Sequence, residues 1–115
     1  DLCMFDLSTG AQVPTEEANS PDTDSYHSWS SNSKWVVFSS RRLDGLYTRP
    51  FIAHVGEGGI LSKPFVLPQK STDYYTLLTK SYNIPEFVKG KVKTDTYKLV
   101  SQIKEGKNRK ISFTK

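Results

Sequence analysis

The sequence predicts a mainly β chain with C-terminal helices: one four-stranded antiparallel sheet, preceded by a further strand and followed by two short helices and a terminal strand. Three observations carry that prediction. From His27 to Leu67, short runs of β-branched and aromatic residues alternate with turn residues at hairpin spacing. Among them, Trp35-Val36-Val37-Phe38-Ser39 is apolar at successive positions, so both faces of that strand need cover. After Pro68 the period changes, and apolar residues recur at helical spacing. The chain divides accordingly into residues 1–26, 27–70 and 71–115.

Taken in order, Leu2-Cys3-Met4-Phe5-Asp6-Leu7 is an apolar run ended by Ser8-Thr9-Gly10, the pattern of a strand entering a turn. Residues 11–26 carry Pro14, Pro21 and scattered acids without period, which predicts a loop. Ser28–Ser30 is a short extended piece bearing Trp29, and Ser31-Asn32-Ser33 supplies a turn before the Trp35 strand. Asp44-Gly45 signals the next hairpin, since Gly tolerates positive φ. It leads into Leu46–Val55, where Pro50 lacks a ladder donor and predicts an outer or bulged strand. Gly56-Glu57-Gly58-Gly59 turns the chain into a last, outermost strand at Pro64-Phe65-Val66-Leu67.

Beyond the sheet, Ser71-Thr72-Asp73 offers a cap for a helix reaching about Tyr82, and Pro85 stops it. A second helix is expected from Asp95 to Glu105, with Thr94 as cap, Leu99, Val100 and Ile103 on one face, and Gly106 at the C′ position. Ile111-Ser112-Phe113 alternates like a short terminal strand.

Composition narrows the function classes. The chain has 115 residues, enough for one modest core. Its apolar share of 36% is low, so a small core or a surface completed by neighbours is expected. The 12% of aromatic residues argues against disorder. Residues 1–79 hold six Lys and Arg against nine Asp and Glu, whereas residues 80–115 hold ten against three, so the basic character belongs to the C-terminal third. Those cations are spread out and mostly Lys, with no base-reading or stacking motif beside them, which argues for a solvated face and against nucleic acid. Cys3 is the sole cysteine, so no intramolecular disulfide and no cysteine-type zinc site can form. No run approaches the roughly 18 apolar residues of a membrane helix, and residues 1–25 lack a secretory signal pattern. His27 and His54 show no ligand rhythm, Asp22-x-Asp24 lacks the rest of a calcium loop, and there is no Gly-x-Ser-x-Gly elbow. Neither a metal, a cofactor nor a catalytic residue is therefore assigned.

Trp29-Ser30, then Trp35-Val36-Val37-Phe38-Ser39-Ser40-Arg41, then Asp44-Gly45-Leu46-Tyr47 resembles the repeat of TolB-type β-propellers, a WD-like repeat built on Trp-Ser-Pro-Asp-Gly, an apolar strand, Ser, and Arg with a nearby Asp-Gly. Ser31-Asn32-Ser33 departs from the usual Pro-Asp-Gly, and Ser33 is less comfortable than Gly at positive φ. The stretch from His27 to Val88, with Ser81-Tyr82-Asn83-Ile84-Pro85-Glu86-Phe87-Val88, further resembles the C-terminal part of TolB-like propeller proteins of Bacteroidetes type. The resemblance implies a four-stranded propeller-type blade with one strand of a preceding blade. It also implies a periplasmic or outer-membrane-associated setting and no catalytic activity. Within it, His27, Trp29, Trp35, Phe38, Arg41, Asp44 and Gly45 are the structural repeat motif, with Arg41 expected to pair with Asp44 and His27 to hydrogen-bond at the blade's inner edge.

A propeller needs at least four such blades of roughly 40–45 residues each, so a longer natural protein, or self-association of the isolated piece, is expected. The first functional expectation is a non-catalytic module for protein–protein contact or scaffolding at the cell envelope, its partners being other blades or envelope proteins. The second is a propeller that recognises glycan or peptidoglycan fragments through Arg42, Tyr47 and Arg49, because guanidinium forks and a tyrosine ring suit such ligands. The third is a hydrolase whose active site lies outside these residues.

Overall fold

The computed structural model describes residues 1–106, and it is mainly β. A two-stranded antiparallel hairpin joins β1 (Met4–Phe5) to β2 (Gln12–Val13). A four-stranded antiparallel sheet follows in sequential order, from β3 (Asp24–Trp29) through β4 (Trp35–Ser40) and β5 (Arg49–His54) to β6 (Phe65–Val66). Two short helices come after it, α1 (Tyr74–Leu77) and α2 (Thr96–Lys104). The expected terminal strand at Ile111–Phe113 lies outside the described residues.

Register explains why β4 is apolar throughout. Val36 faces Ala53, Phe38 faces Phe51 and Ser40 faces Arg49 across one face of the sheet. Trp35 faces His54, Val37 faces Ile52 and Ser39 faces Pro50 across the other. On the first face Val36, Phe38, Phe51 and Ala53 form the core with Leu2, Ala18 and Leu61, and Met4 of the hairpin packs against it. The N-terminal hairpin thus lies over this face as a second layer. Thr15 Oγ1 and Asn19 Nδ2 both donate to the Leu2 carbonyl, and Leu2 N donates to Asn19 Oδ1, which ties the chain start down. On the second face Ser39 Oγ donates to the Asn83 carbonyl, so the segment after α1 crosses the sheet there. Val36 and Val37 are 2% and 5% exposed, so β4 is covered on both faces at its middle, while Trp35 at its start stays 36% exposed.

Several expectations need correction. Residues 11–26 are not one loop: Gln12–Val13 closes the hairpin, and β3 begins at Asp24. β3 also carries a bulge between Ser25 and Ser28, with Tyr26 at φ 54°. Pro50 lies in an interior strand. Its carbonyl accepts from Leu67 N, and a strand residue presents N–H and C=O to the same side, so the missing donor falls beyond the paired residues of β6 and spares the β4 ladder. β5 itself starts at Arg49, because Asp44 Oδ1 accepts from Leu46 N and Tyr47 N and holds those residues in the turn. The first helix is a single turn, and the second is capped by Asp95, whose side chain accepts from Tyr97 N, in place of Thr94. Gly106 takes the left-handed conformation at C′ as expected, at φ 59°.

Ser33 sits at φ 57°. The turn that the Trp35 strand needs is therefore made at a serine, supported by Asn32 Oδ1, which accepts from Lys34 N and Ser30 Oγ.

Candidate functional site

Two arginines organise the end of the sheet where β3, β4 and β5 meet their turns. Arg42 follows β4 and folds back over the core, its guanidinium 4.8 Å from the Phe51 ring centre and 5.4 Å from that of Phe38. Nη2 donates to Asp24 Oδ1 at 2.7 Å and to the Ala18 carbonyl at 2.6 Å, and Nε donates to Ser40 Oγ at 2.8 Å. Asp24 is wholly buried and also accepts from the amide and hydroxyl of Ser20. Burial pushes its carboxyl up, but hydrogen bonds from Ser40, Arg42 and Ser20 outweigh that and hold it below the usual carboxylate value. This buried pair pins the 18–24 segment to the last turn of β4.

Arg49 opens β5 and is only 1% exposed. Its guanidinium lies 5.0 Å from the Tyr47 ring centre and 5.6 Å from that of Tyr75. Nη1 donates to the Lys80 carbonyl, while Nη2 donates to those of Tyr75 and Leu78. These are carbonyls at and just past the end of α1, where a cation meets the negative end of the peptide dipoles. Thr48 continues the attachment: its carbonyl accepts from Tyr82 N, its hydroxyl donates to the Tyr82 carbonyl, and its amide donates to Ser81 Oγ. Residues 74–83 are thereby strapped across the sheet end. In that strap the Tyr82 hydroxyl donates to Tyr74 Oη at 3.0 Å. That bond first, and burial second, push the Tyr82 phenol up to about 12.

The expected ion pair of Arg41 with Asp44 is not formed. Arg41 is exposed, its carbonyl accepting from Asp44 N and Gly45 N, and the cation beside Asp44 is Arg49, at 3.6 Å. Backbone donation from Tyr47 and Leu46, assisted by Arg49, holds the Asp44 carboxyl low. The three residues read as ligand-binding do not converge: Tyr47 and Arg49 share one cleft, while Arg42 is occupied at Asp24. Tyr75 and Asp24, the partners that complete the two nodes, lie 26 and 18 positions from their arginines, a separation no local spacing reveals.

The other residues of the expected motif have unequal surroundings, and the hydrogen bond expected of His27 is not made among the described residues. Phe38 is fully buried in the core, and Trp35 meets His54 edge-on at 5.0 Å and stays 36% exposed. His27 is exposed and makes no side-chain hydrogen bond among the described residues. With Cys3, Trp29 and Val36 it borders a small cavity of about 50 Å³ between hairpin and sheet. Gly45 adopts φ 69°, which a side chain would strain. Among the described residues no three His, Cys, Asp or Glu side chains are placed to hold a metal ion, and no helix is long and apolar enough to cross a membrane. No family model matches the chain, and no curated protein or solved structure matches it either.

Proposed function

We propose that this chain is a non-catalytic, propeller-type module whose work is protein–protein contact through its sheet face. The observation that carries this reading is the unequal covering of the four-stranded sheet. One face is closed by a second β layer, the β1–β2 hairpin. The opposite face carries Trp35 and Phe65, exposed at 36% and 46%, with the half-buried Ile52 directly opposite Phe65. Its lower part is covered by the 81–83 strap, while Trp35 and Phe65 remain partly open. Partly exposed aromatic side chains on one sheet face suit a contact surface, where aromatic residues are enriched. The likeness to TolB-type repeats supports a further β layer as the occupant and a cell-envelope setting.

The test is sedimentation velocity across a wide concentration range, with Ile52→Asp and Phe65→Asp as variants. Concentration-dependent association that both substitutions suppress, with the thermal midpoint held, is the expected result. A monomer at every concentration, or association indifferent to both substitutions, overturns the sheet-face reading.

A further inference from the structure

We propose that the cleft between the β4–β5 turn and α1 binds one neutral sugar ring of an oligosaccharide, a role separate from the sheet-face contact. The cleft has an open volume of about 370 Å³ and is walled by Asp44, Tyr47 and Arg49 on one side and Tyr75, Thr76 and Thr79 on the other. That falls within the range of small-ligand sites, roughly 300–1,000 Å³.

Charge decides the ligand's sign. Asp44 and Arg49 stand 3.6 Å apart in the same wall, so their charges offset each other and the cleft favours neither an anion nor a cation.

Unfilled hydrogen-bonding capacity decides its chemistry. Asp44 Oδ1 is taken by the amides of Leu46 and Tyr47, while Oδ2 faces the Arg49 guanidinium at 3.6 Å and keeps lone-pair capacity for a further donor. The exposed Thr76 and Thr79 hydroxyls likewise have no partner among the described residues. Arg49 Nε is buried without an acceptor, a state that costs free energy. Open acceptors and donors thus stand beside two half-buried tyrosine rings. The matching ligand presents hydroxyls that both give and accept, together with an apolar C–H face for the rings. A sugar ring has both, on adjoining surfaces, and carries no charge.

The experiment titrates the ¹⁵N-labelled chain with cellotetraose, chitotetraose and maltotetraose, with polygalacturonate and a neutral tetrapeptide alongside. At least one neutral tetrasaccharide is expected to shift the Tyr47 and Tyr75 amides at millimolar concentration. Asp44→Asn keeps the turn acceptor but removes the carboxylate, and is expected to weaken that binding roughly tenfold, the worth of one charged hydrogen bond. The exposed pair Thr76→Ala and Thr79→Ala provides a second loss of similar size with no demand on folding. Absence of any shift with all three neutral sugars overturns the proposal. So does binding only of the polyanion or the peptide, or sugar binding that neither variant weakens. The sheet-face variants Ile52→Asp and Phe65→Asp leave this titration unchanged, which keeps its outcome distinct from that of the association test.

Discussion

Arg42 offers the sharpest test of how this fold is held together, because its charge is committed to a carboxylate that has no access to water. In Arg42→Met, Asp24 keeps its bonds from Ser20 and Ser40 but loses the 2.7 Å bond from the guanidinium while remaining fully buried. Breaking one side of a buried pair costs about 3–5 kcal/mol. The Arg42 side chain is 17% exposed, so water can reach part of the vacated site and the lower half of that range applies, about 3–4 kcal/mol. Methionine retains much of the packing over Phe38 and Phe51, which keeps the loss mainly electrostatic. In Asp24→Asn/Arg42→Met the buried charge is gone on both sides, and the deficit should shrink to about 1–2 kcal/mol. Urea unfolding followed by the fluorescence of Trp29 and Trp35 reads both numbers, against a total of roughly 5–15 kcal/mol for a small domain. A loss below about 1 kcal/mol in the single variant refutes the pairing as a structural element, as does a double variant no more stable than the single one. The acid limb carries a second check. The folded-state carboxyl of Asp24 lies below its ordinary 3.8, so its contribution is complete above that value and disappears as pH falls through the folded one. Asp24→Asn should flatten that limb.

Three further outcomes follow from the same geometry. Arg49→Lys keeps a charge but cannot fork onto the Tyr75, Leu78 and Lys80 carbonyls, so hydrogen exchange at the Tyr82 amide should accelerate at least tenfold while Val36 and Phe38 stay protected; equal protection at Tyr82 refutes the strap. Ser33→Gly removes a side chain from φ 57° and should stabilise the chain by about 0.5–1 kcal/mol in urea unfolding, and any destabilisation contradicts the turn. Tyr74→Phe deletes the acceptor of the Tyr82 hydroxyl, so ultraviolet titration should show the phenol that ionises near 12 moving down towards 10. With the wild-type phenol raised, stability should fall as pH climbs from 10 towards 12, more steeply than in that variant.

What the sequence determined by itself is the strand inventory of the sheet. Strand β4 was legible because four successive residues from Trp35 share β propensity, and β6 because Pro64 and Pro68 bracket a short apolar run. Asp44-Gly45 marked its hairpin because positive φ is a property of the residue and needs no distant partner. These are signals of single residues and of nearest neighbours, and they survive without knowledge of the rest of the chain.

Only the tertiary structure decided what met across space. Gln12–Val13 became a strand because Met4–Phe5 lay beside it, although its own composition reads as loop. Of three arginines within nine positions, Arg41 faces solvent, Arg42 reaches back to Asp24 and Arg49 lies beside Asp44. Sequence distance favoured Arg41 for Asp44. The strand direction of β5 instead returned Arg49 to the turn that Asp44 shapes, while residue 41 was carried outward. The cleft depends equally on the 74–83 strap folding back onto β5, a contact fixed by carbonyls, which every residue possesses and which no residue type announces.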